Sequence, residues 1–442
     1  MNEEKKLKLN YKRTFYMGFA FFAILMLWQM YNYYCPLFLQ QFLGTDKTYL
    51  IGLIMAADNF FAIFMLPLFG MLSDKTKSKW GRRMPYIVIG MVLSAIIFPL
   101  VAVAYYLNSL VGLIIMMGLI LLIMNMYRNP AVALMPDITP KPLRSQANGV
   151  INLVGYIGAV MGGAIALVIG IFFKDLEKQG IAAFIVASFF MILSVVILIL
   201  KIKEPKLVKE MEPEMLEGEQ LSENFVDETN TSKLSKRDKI NTFILLFSVL
   251  FWFVSFNAVE SFYSVFCKES FGEKSIVGTI VMAGLPLSSI ITFMCTINLP
   301  AKIGRKKTVL IGLLALIFGF GVVVLEGIFN WYNAIVFIFA IIVCGIGWAL
   351  INANSYPMLV EVSNKDNVGK YTGLYYTFSM IAQSITPVLV GSLITLHGHY
   401  GILFIYALIT MVIAMTIFSF FKENKNAKIK IKQGMEKFED ND

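Results

Sequence analysis

Three ionisable side chains lie inside long apolar stretches of the sequence: Asp58, Arg128 and Glu260. A charge in the middle of a bilayer costs roughly 2.5–3.5 kcal/mol on insertion scales, so such a residue usually faces a cavity or a partner. A carboxyl group in this setting can take up a proton from one side of a membrane and release it to the other. We therefore predict that Asp58 and Glu260 take part in proton coupling. Arg128 is included because its permanent charge needs an acidic neighbour such as Asp58.

Each of these residues also has a structural interpretation. Asp58 and Arg128 could form a static ion pair, and Glu260 could lie near the outer end of its helix and simply be hydrated. Asn257, Glu260 and Tyr263 follow one another at a spacing of three residues. That spacing places them on roughly one face of a helix, where they could act together.

Polar and aromatic residues recur inside the same apolar stretches, and together they suit a sugar. Aromatic rings cover the apolar C–H faces of a pyranose, while amides and charged groups satisfy hydroxyls that would cost about 1–3 kcal/mol each if buried without a partner. The density of amides inside apolar stretches is the informative signal, since any one of these residues could equally serve packing. The candidate substrate-binding residues are Trp28, Gln29, Asn32, Tyr33, Asn59, Tyr127, Arg128, Asn152, Asn257, Trp348, Asn352 and Tyr376.

The elements that must hold these residues are membrane-spanning helices. The chain has 442 residues, of which 57% are hydrophobic and 15% are charged, whereas soluble domains carry roughly 25% charged residues. A helix needs about 20 apolar residues to cross a bilayer. Twelve stretches meet this requirement, approximately 15–39, 49–72, 84–107, 110–136, 146–173, 181–200, 241–267, 275–298, 307–326, 331–360, 370–396 and 400–421. The sequence therefore predicts an all-α membrane protein.

The distribution of positive charge predicts the topology. Lys and Arg concentrate in the two termini and in the loops that follow even-numbered spans, and such charge marks the cytoplasmic side. The opposite side carries only Lys47, Lys174, Lys178, Lys268 and Lys274. We predict that both termini are cytoplasmic, in a multi-pass protein of the plasma membrane. The net charge of +9 is then an orientation signal in the bilayer, and a nucleic-acid partner is not expected.

The longest polar interruption divides the chain into two halves of six spans each. It is rich in acidic residues and has little hydrophobic periodicity, which favours a flexible cytoplasmic linker. The predicted organisation is an N-terminal six-helix bundle over 1–200, the linker over 201–240, a C-terminal six-helix bundle over 241–421 and a cytoplasmic tail over 422–442.

The two halves also resemble each other. Three landmarks recur at a nearly constant spacing: Gly81-Arg82-Arg83 with Gly304-Arg305-Lys306, Pro136-Asp137 with Val360-Glu361, and Gly149 with Gly373. Parallel repeats of this kind are typical of secondary transporters, whose substrate site lies between the halves near the middle of the bilayer.

Charged residues at the cytoplasmic span ends are candidate gating elements. They are Asp74, Arg82, Arg83, Asp137, Arg144 and Glu361. Asp74 could accept hydrogen bonds from the helix N-terminus near Gly369, where the helix dipole favours an anion, with Arg82 and Arg83 bracing it. The alternative for the two arginines is plain anchoring on the cytoplasmic side.

Two motifs carry a resemblance to a known family. Residues 70–85 read GMLSDKTKSKWGRRMP, which resembles the loop signature of the major facilitator superfamily, and the WGRRMP part is similar to glycoside–pentoside–hexuronide:cation symporters and sucrose–proton symporters. Residues 128–137, RNPAVALMPD, resemble a pattern of the sucrose-symporter group. The resemblance implies the major facilitator fold of two six-helix bundles. It does not carry over the sodium site of melibiose-type symporters, because span 2 has the single Asp58 where they have paired aspartates.

These observations together predict a proton-coupled symporter that transports a glycoside, a disaccharide or small oligosaccharide, by alternating access. Sodium coupling stays open, and a lysolipid or drug carrier on the same scaffold is a further alternative. His397 and His399 have a weak metal-ligand spacing without a third ligand, so we expect a polar turn there and no metal. We expect no cofactor and no enzymatic activity, and we expect the protein to be a monomer.

Overall fold

Helices account for nearly all of the described structure. The computed structural model describes residues 7–224, 236–272, 275–296, 298–362 and 368–422. Over these ranges the helices are α1 (Tyr11–Leu43), α2 (Thr48–Lys75), α3 (Met84–Tyr106), α4 (Leu110–Asp137), α5 (Arg144–Phe172), α6 (Leu176–Lys201), α7 (Glu204–Asn224), α8 (Lys236–Phe271), α9 (Val277–Thr296), α10 (Leu299–Ile303), α11 (Arg305–Ile328), α12 (Ala334–Val362), α13 (Val368–His397) and α14 (Ile402–Ser419).

Twelve helices in the described ranges are long and apolar enough to cross a membrane. They are α1 to α6, α8, α9 and α11 to α14, and each coincides with one of the predicted spans to within a few residues. The all-helical membrane fold is therefore confirmed. Hydropathy succeeds here because each crossing needs its own run of about 20 apolar residues.

The first six and the last six spans form two bundles with the same internal packing. In the first bundle α1 packs on α5 and α6, α2 on α4, and α3 on α4 and α6. In the second bundle α8 packs on α13 and α14, α9 on α12, and α11 on α12 and α14. Each contact in one bundle has its counterpart at the same place in the other, as the sequence repeat predicts.

The repeat extends to the backbone at the glycines that precede α3 and α11. Gly81 has φ of 103° and Gly304 has φ of 91°. Only glycine adopts such angles without steric cost, so the same residue stands at both turns for the same reason.

The acidic segment between the bundles is not flexible throughout, and this part of the prediction is wrong. Residues 204–224 form the helix α7, which lies against the N-terminal bundle. Arg13 donates a hydrogen bond to Met211 Sδ (2.8 Å), and Lys141 forms an ion pair with Glu219 (3.4 Å). Glu, Lys, Met and Leu, which make up most of this segment, are good helix formers. The contacts with α1 and the loop before α5 supply the rest of the stabilisation. Residues 225–235 lie outside the described ranges.

Candidate functional site

The two bundles meet on one side of the molecule. Twelve of the described helices could each cross a membrane, and an even number of crossings brings the first and last described residues to one side. We call it the terminal side; the other is the distal side. At the distal ends of α2 and α13 the backbones touch. A Cβ added to Gly52 would collide with the carbonyl oxygen of Pro387, and one added to Gly391 would lie 2.6 Å from Thr48 O. Glycine is required at both positions because the opposing atoms are backbone.

Two further helix pairs close the same side. Gly163 of α5 lies against the backbone of Ala283 in α9, with no room for a Cβ. In the α1–α8 pair, the rings of Tyr33 and Tyr263 lie 6.0 Å apart between centroids. Gln29 Nε2 reaches across to α9 and donates to the carbonyl oxygen of Met282 (3.0 Å). We call the contacts of α2 with α13, α5 with α9 and α1 with α8 the distal seal.

On the terminal side the same helices separate. Ile63 lies three helical turns from Gly52 in α2, and Tyr376 lies three turns from Pro387 in α13. Both are on the helix faces that form the seal. Their exposed fractions are 48% and 55%. A Cβ added to Gly373 would find no atom within 4 Å. The space between the bundles is thus open toward the terminal side and closed at the distal side.

A cavity lies against the distal seal, and Glu260 lines it. It encloses about 570 Å³ of empty space, including the part that opens to solvent. Asn32 Nδ2 of α1 donates to Glu260 Oε1 of α8 (3.4 Å), a hydrogen bond that crosses between the bundles. The lining residues are Gln29, Asn32, Phe256, Val259, Glu260, Tyr263, Val281, Leu285, Phe320, Ile341 and Cys344. Glu260 therefore lies at the bundle interface and is not simply a hydrated residue at a helix end.

Asp58 occupies a different place, inside the N-terminal bundle. It is 2% exposed, and Asn125 Nδ2 of α4 donates to its Oδ1 (3.2 Å). Its Oδ2 is buried without a hydrogen-bond partner among the described residues. Arg128 and this carboxylate form no ion pair in the described structure, and the direct partner of the carboxylate is Asn125. Asp58 and Glu260 are not brought together, since Asp58 does not line the Glu260 cavity.

The aromatic candidates Trp28, Tyr127 and Trp348 do not line this cavity. Trp348 stacks on Phe256, with 3.7 Å between ring centroids and 6° between planes, so it backs a lining residue. Trp28 stacks on Tyr31 at 6.3 Å. Tyr127 is fully buried against Gly90 of α3, where an added Cβ would lie 2.6 Å from its Cβ. Tyr127 therefore packs two helices together and does not line the cavity.

The remaining candidates are distributed along the helices. Asn257 and Asn352 each donate to the carbonyl four residues earlier in their own helix, Phe253 O (2.7 Å) and Trp348 O (3.0 Å). Asn59 and Asn152 are half-buried. Of the predicted substrate-binding set, Gln29 and Asn32 line the Glu260 cavity, Tyr33 lies in the distal seal, and Tyr376 lies on the open terminal side.

The gating candidates form an ion-pair network on the terminal side of the N-terminal bundle. Arg82 and Arg83 share Asp137, with Arg82 Nη2 to Oδ1 and Arg83 Nε to Oδ2 both at 2.8 Å. Arg83 also pairs with Asp74. Arg144 donates to Pro136 O (3.0 Å) and Thr139 O (3.2 Å), which satisfies carbonyls at the end of α4.

The predicted contact of Asp74 with the helix N-terminus near Gly369 is wrong for this conformation. Asp74, near the end of α2, is 55% exposed and pairs with Arg83 at the start of α3, and no hydrogen bond or ion pair joins it to the described part of α13. The reason is physical: the two bundles are apart on the terminal side. The side chain of Glu361 lies outside the described residues.

Sequence reasoning missed Glu204 at this network. Its carboxylate, 1% exposed, accepts hydrogen bonds from the backbone N–H groups of Arg82, Arg83 and Met84 (2.9–3.1 Å). Those are unpaired donors at the N-terminus of α3, so Glu204 caps that helix from the start of α7. No local signal marks Glu204 in the sequence, because its partners lie in another loop.

We expect Asp137→Asn to destabilise the protein, because it leaves Arg83, whose side chain is 6% exposed, with only Asp74 as a charged partner. Removing the sole partner of a buried charge costs about 3–5 kcal/mol, and because Arg83 keeps Asp74, we expect a smaller loss here. The measurement is the thermal unfolding midpoint in detergent, followed by tryptophan fluorescence. Asp175→Asn is the matched control, since its ion pair with Lys178 is on the surface, and its midpoint should equal that of the wild type. Equal midpoints for both variants would contradict the structural role of the network.

Comparison with solved structures identifies the fold. The chain is similar to a mutant of the nucleoside transporter NupG, with 16% identity, TM-score 0.65 and coverage of 93% of this chain and 100% of that one. It is similar to a bacterial homologue of the iron transporter ferroportin in an inward-facing state, with 13% identity, TM-score 0.64 and coverage of 94% and 99%. A mutant peptide transporter POT in complex with sulfate gives 14% identity, TM-score 0.67 and coverage of 92% and 94%.

The family follows from the sequence match. No curated protein matches the chain. A family model described as MFS/sugar transport protein matches residues 16–401, nearly the whole membrane domain. The chain therefore belongs to the MFS/sugar transport protein family.

Proposed function

We propose that the protein is a secondary active transporter that couples proton influx to the uptake of a glycoside, a disaccharide or small oligosaccharide, by alternating access. The observation that carries the proposal is the position of Glu260. Its carboxylate faces a cavity between the bundles and accepts a hydrogen bond from Asn32 of the opposite bundle. One titratable group is thus in contact with both the substrate space and the moving interface.

The coupling step follows from this geometry. The contact between Asn32 and Glu260 crosses the distal seal, so it must break when the distal side opens. A charged carboxylate would then lose its partner inside the membrane, which is costly. Protonation of Glu260 from the distal side neutralises the carboxylate, so the distal side can close again without enclosing a charge, and the conformation described above is restored. Asp58, held by Asn125 within the N-terminal bundle, is a second candidate proton carrier with Arg128 beside it.

Substrate recognition would use the same cavity. Gln29 and Asn32 offer amides, and Glu260 offers acceptors for sugar hydroxyls, while Phe256 and Tyr263 offer aromatic surface. Binding of a sugar would satisfy the groups that the parting bundles leave unpaired. The substrate and the proton would then cross together, because the distal side closes around the site only when Glu260 is neutral and the polar groups of the site are paired.

The apolar part of the lining favours a second candidate. Most residues around Glu260 are aliphatic or aromatic, a composition that suits the apolar portion of an amphiphile. A lysolipid or drug carrier on this scaffold would use it, whereas a sugar symporter would use mainly the amide edge.

We also propose that the terminal side faces the cytoplasm of a cell whose plasma membrane holds the protein as a monomer. The support is the concentration of Lys and Arg on that side. The cavity would then be open to the cytoplasm in the conformation described here, ready to release substrate.

The test is uptake into proteoliposomes that contain the purified protein. Labelled disaccharides are offered with an inside-alkaline pH gradient, with a sodium gradient, or with neither. We expect accumulation driven by the pH gradient and abolished by a protonophore. Accumulation driven by the sodium gradient alone would identify sodium, and not the proton, as the coupling ion. Uptake of a lysolipid without uptake of any sugar would overturn the proposal in favour of the second candidate.

A further inference from the structure

The loop between α13 and α14 reaches from the C-terminal bundle to the N-terminal bundle. Tyr400 of this loop is 1% exposed, although it lies between two helix ends on the distal side. Its ring packs near Phe262 of α8, at 6.2 Å between centroids. Its hydroxyl lies 3.0 Å from Oγ1 of Thr48, the first residue of α2, which is also fully buried.

The direction of this hydrogen bond can be deduced. Thr48 Oγ1 donates its single proton to Thr45 O (2.8 Å). A hydroxyl has one proton to donate and can accept as well. Tyr400 must therefore donate to Thr48 Oγ1. The donor belongs to the C-terminal bundle and the acceptor to the N-terminal bundle.

Glu269 holds the loop in the position that this bond requires. Its Oε2, near the distal end of α8, accepts a hydrogen bond from the backbone N–H of Tyr400 (3.1 Å). The loop turns at Gly398, whose φ is 74°. Thr395, near the end of α13, also contacts the N-terminal bundle, because its Oγ1 accepts a hydrogen bond from the N–H of Tyr49 (3.2 Å). Glu269 thus anchors the Tyr400 backbone to α8 while the Tyr400 hydroxyl reaches α2.

We propose that Tyr400 is a gating residue of the distal seal and that Glu269 is the residue that positions it. The bond from Tyr400 to Thr48 exists only while the distal side is closed, since its two ends belong to different bundles. When the distal side opens, both hydroxyls meet water, so the bond biases the protein toward the terminal-open conformation. This inference needs only that the bundles part on the distal side, and it is independent of the substrate and the coupling ion.

The test removes the hydroxyl with Tyr400→Phe and measures the distance between the bundles without substrate. Spin labels at Leu107→Cys and Phe329→Cys report it, because these exposed positions lie at the distal ends of α3 and α11 in different bundles. Cys295→Ser removes the exposed native cysteine. We expect the ratio of distal-open to distal-closed molecules to rise about five-fold, as the loss of one such hydrogen bond implies.

A matched control exists within the N-terminal bundle. Thr76 Oγ1 donates to Leu72 O (2.8 Å) and lies 2.9 Å from the hydroxyl of Tyr86, so the pair repeats the chemistry of Thr48 and Tyr400 inside one bundle. Tyr86→Phe should leave the distance distribution unchanged. An unchanged distribution for Tyr400→Phe, or an equal shift for Tyr86→Phe, would overturn the proposal.

The positioning role of Glu269 needs a separate measurement. Glu269→Ala should shift the distribution in the same direction as Tyr400→Phe, and the double variant should shift it no further than the larger single effect. Shifts that multiply in the double variant would show that Glu269 acts independently of Tyr400. Thr48→Val removes the acceptor from the other bundle and should reproduce the shift of Tyr400→Phe. If Thr48→Val stays distal-closed, the bond between Tyr400 and Thr48 is not the cause of that shift.

Discussion

Glu260→Gln is expected to abolish the accumulation of substrate against its gradient while leaving equilibration of substrate across the membrane intact. Glutamine keeps the shape of the side chain and can still accept the hydrogen bond from Asn32, but it is neutral at every pH. The variant therefore resembles permanently protonated Glu260, and the bundles can rock with or without a proton. Uptake driven by an imposed pH gradient should stop at equal internal and external concentrations, and exchange of internal for external substrate should continue.

The matched control is Glu326→Gln. Glu326 is also a buried carboxylate of the C-terminal bundle, 4% exposed, but it accepts from the N–H of Asn333 within a loop on the distal side (3.0 Å) and does not line the cavity. Its variant should accumulate substrate as the wild type does. Accumulation by Glu260→Gln together with its loss in Asp58→Asn would move the coupling role to Asp58.

Gly52→Ala is expected to hold the distal side open and to lower net uptake by roughly five-fold or more. The added Cβ would collide with the carbonyl oxygen of Pro387, and a backbone atom inside a helix cannot move aside as a flexible side chain can. Forcing an extra carbon into such a contact costs about 1–3 kcal/mol, and it does so only in the distal-closed conformation. The equilibrium should therefore shift toward the distal-open form by roughly five- to more than a hundred-fold.

The measurement is the distance between labels on the distal ends of the two bundles, together with initial uptake rates. Gly118→Ala is the control, because a Cβ at that position of α4 would find no atom within 4 Å, and alanine is the better helix former. It should transport normally. Normal uptake and a closed distal side in Gly52→Ala would contradict the prediction, because they would mean that α2 and α13 accommodate the added carbon while the distal side stays closed.

Most of the fold could be predicted from the sequence because each crossing carries its own hydrophobic signal. The internal repeat was also visible, and the shared backbone conformation of Gly81 and Gly304 gives it a physical basis. The helix α7 could not be predicted in the same way. Its helical state depends on contacts such as that between Arg13 and Met211, which join residues far apart in the chain.

The candidate site was predictable in residue type and not in geometry. Buried carboxylates in apolar runs identify Asp58 and Glu260, but only packing reveals that Asn125 binds one and Asn32 the other. The partner of Asp74 was mispredicted for a different reason. A sequence specifies both conformations of a two-state protein, so a contact expected for one can be absent from the other.

The distal seal determines how easily ions could leak through the protein across a membrane. At Gly52 with Pro387 and Gly163 with Ala283 the helices touch backbone to backbone, which leaves no width for a file of water molecules along which protons could hop. Neither of these two contacts includes a titratable side chain, so a change of pH on the distal side should not loosen them. A membrane containing many copies in this conformation should therefore conduct few ions at these two contacts when substrate is absent.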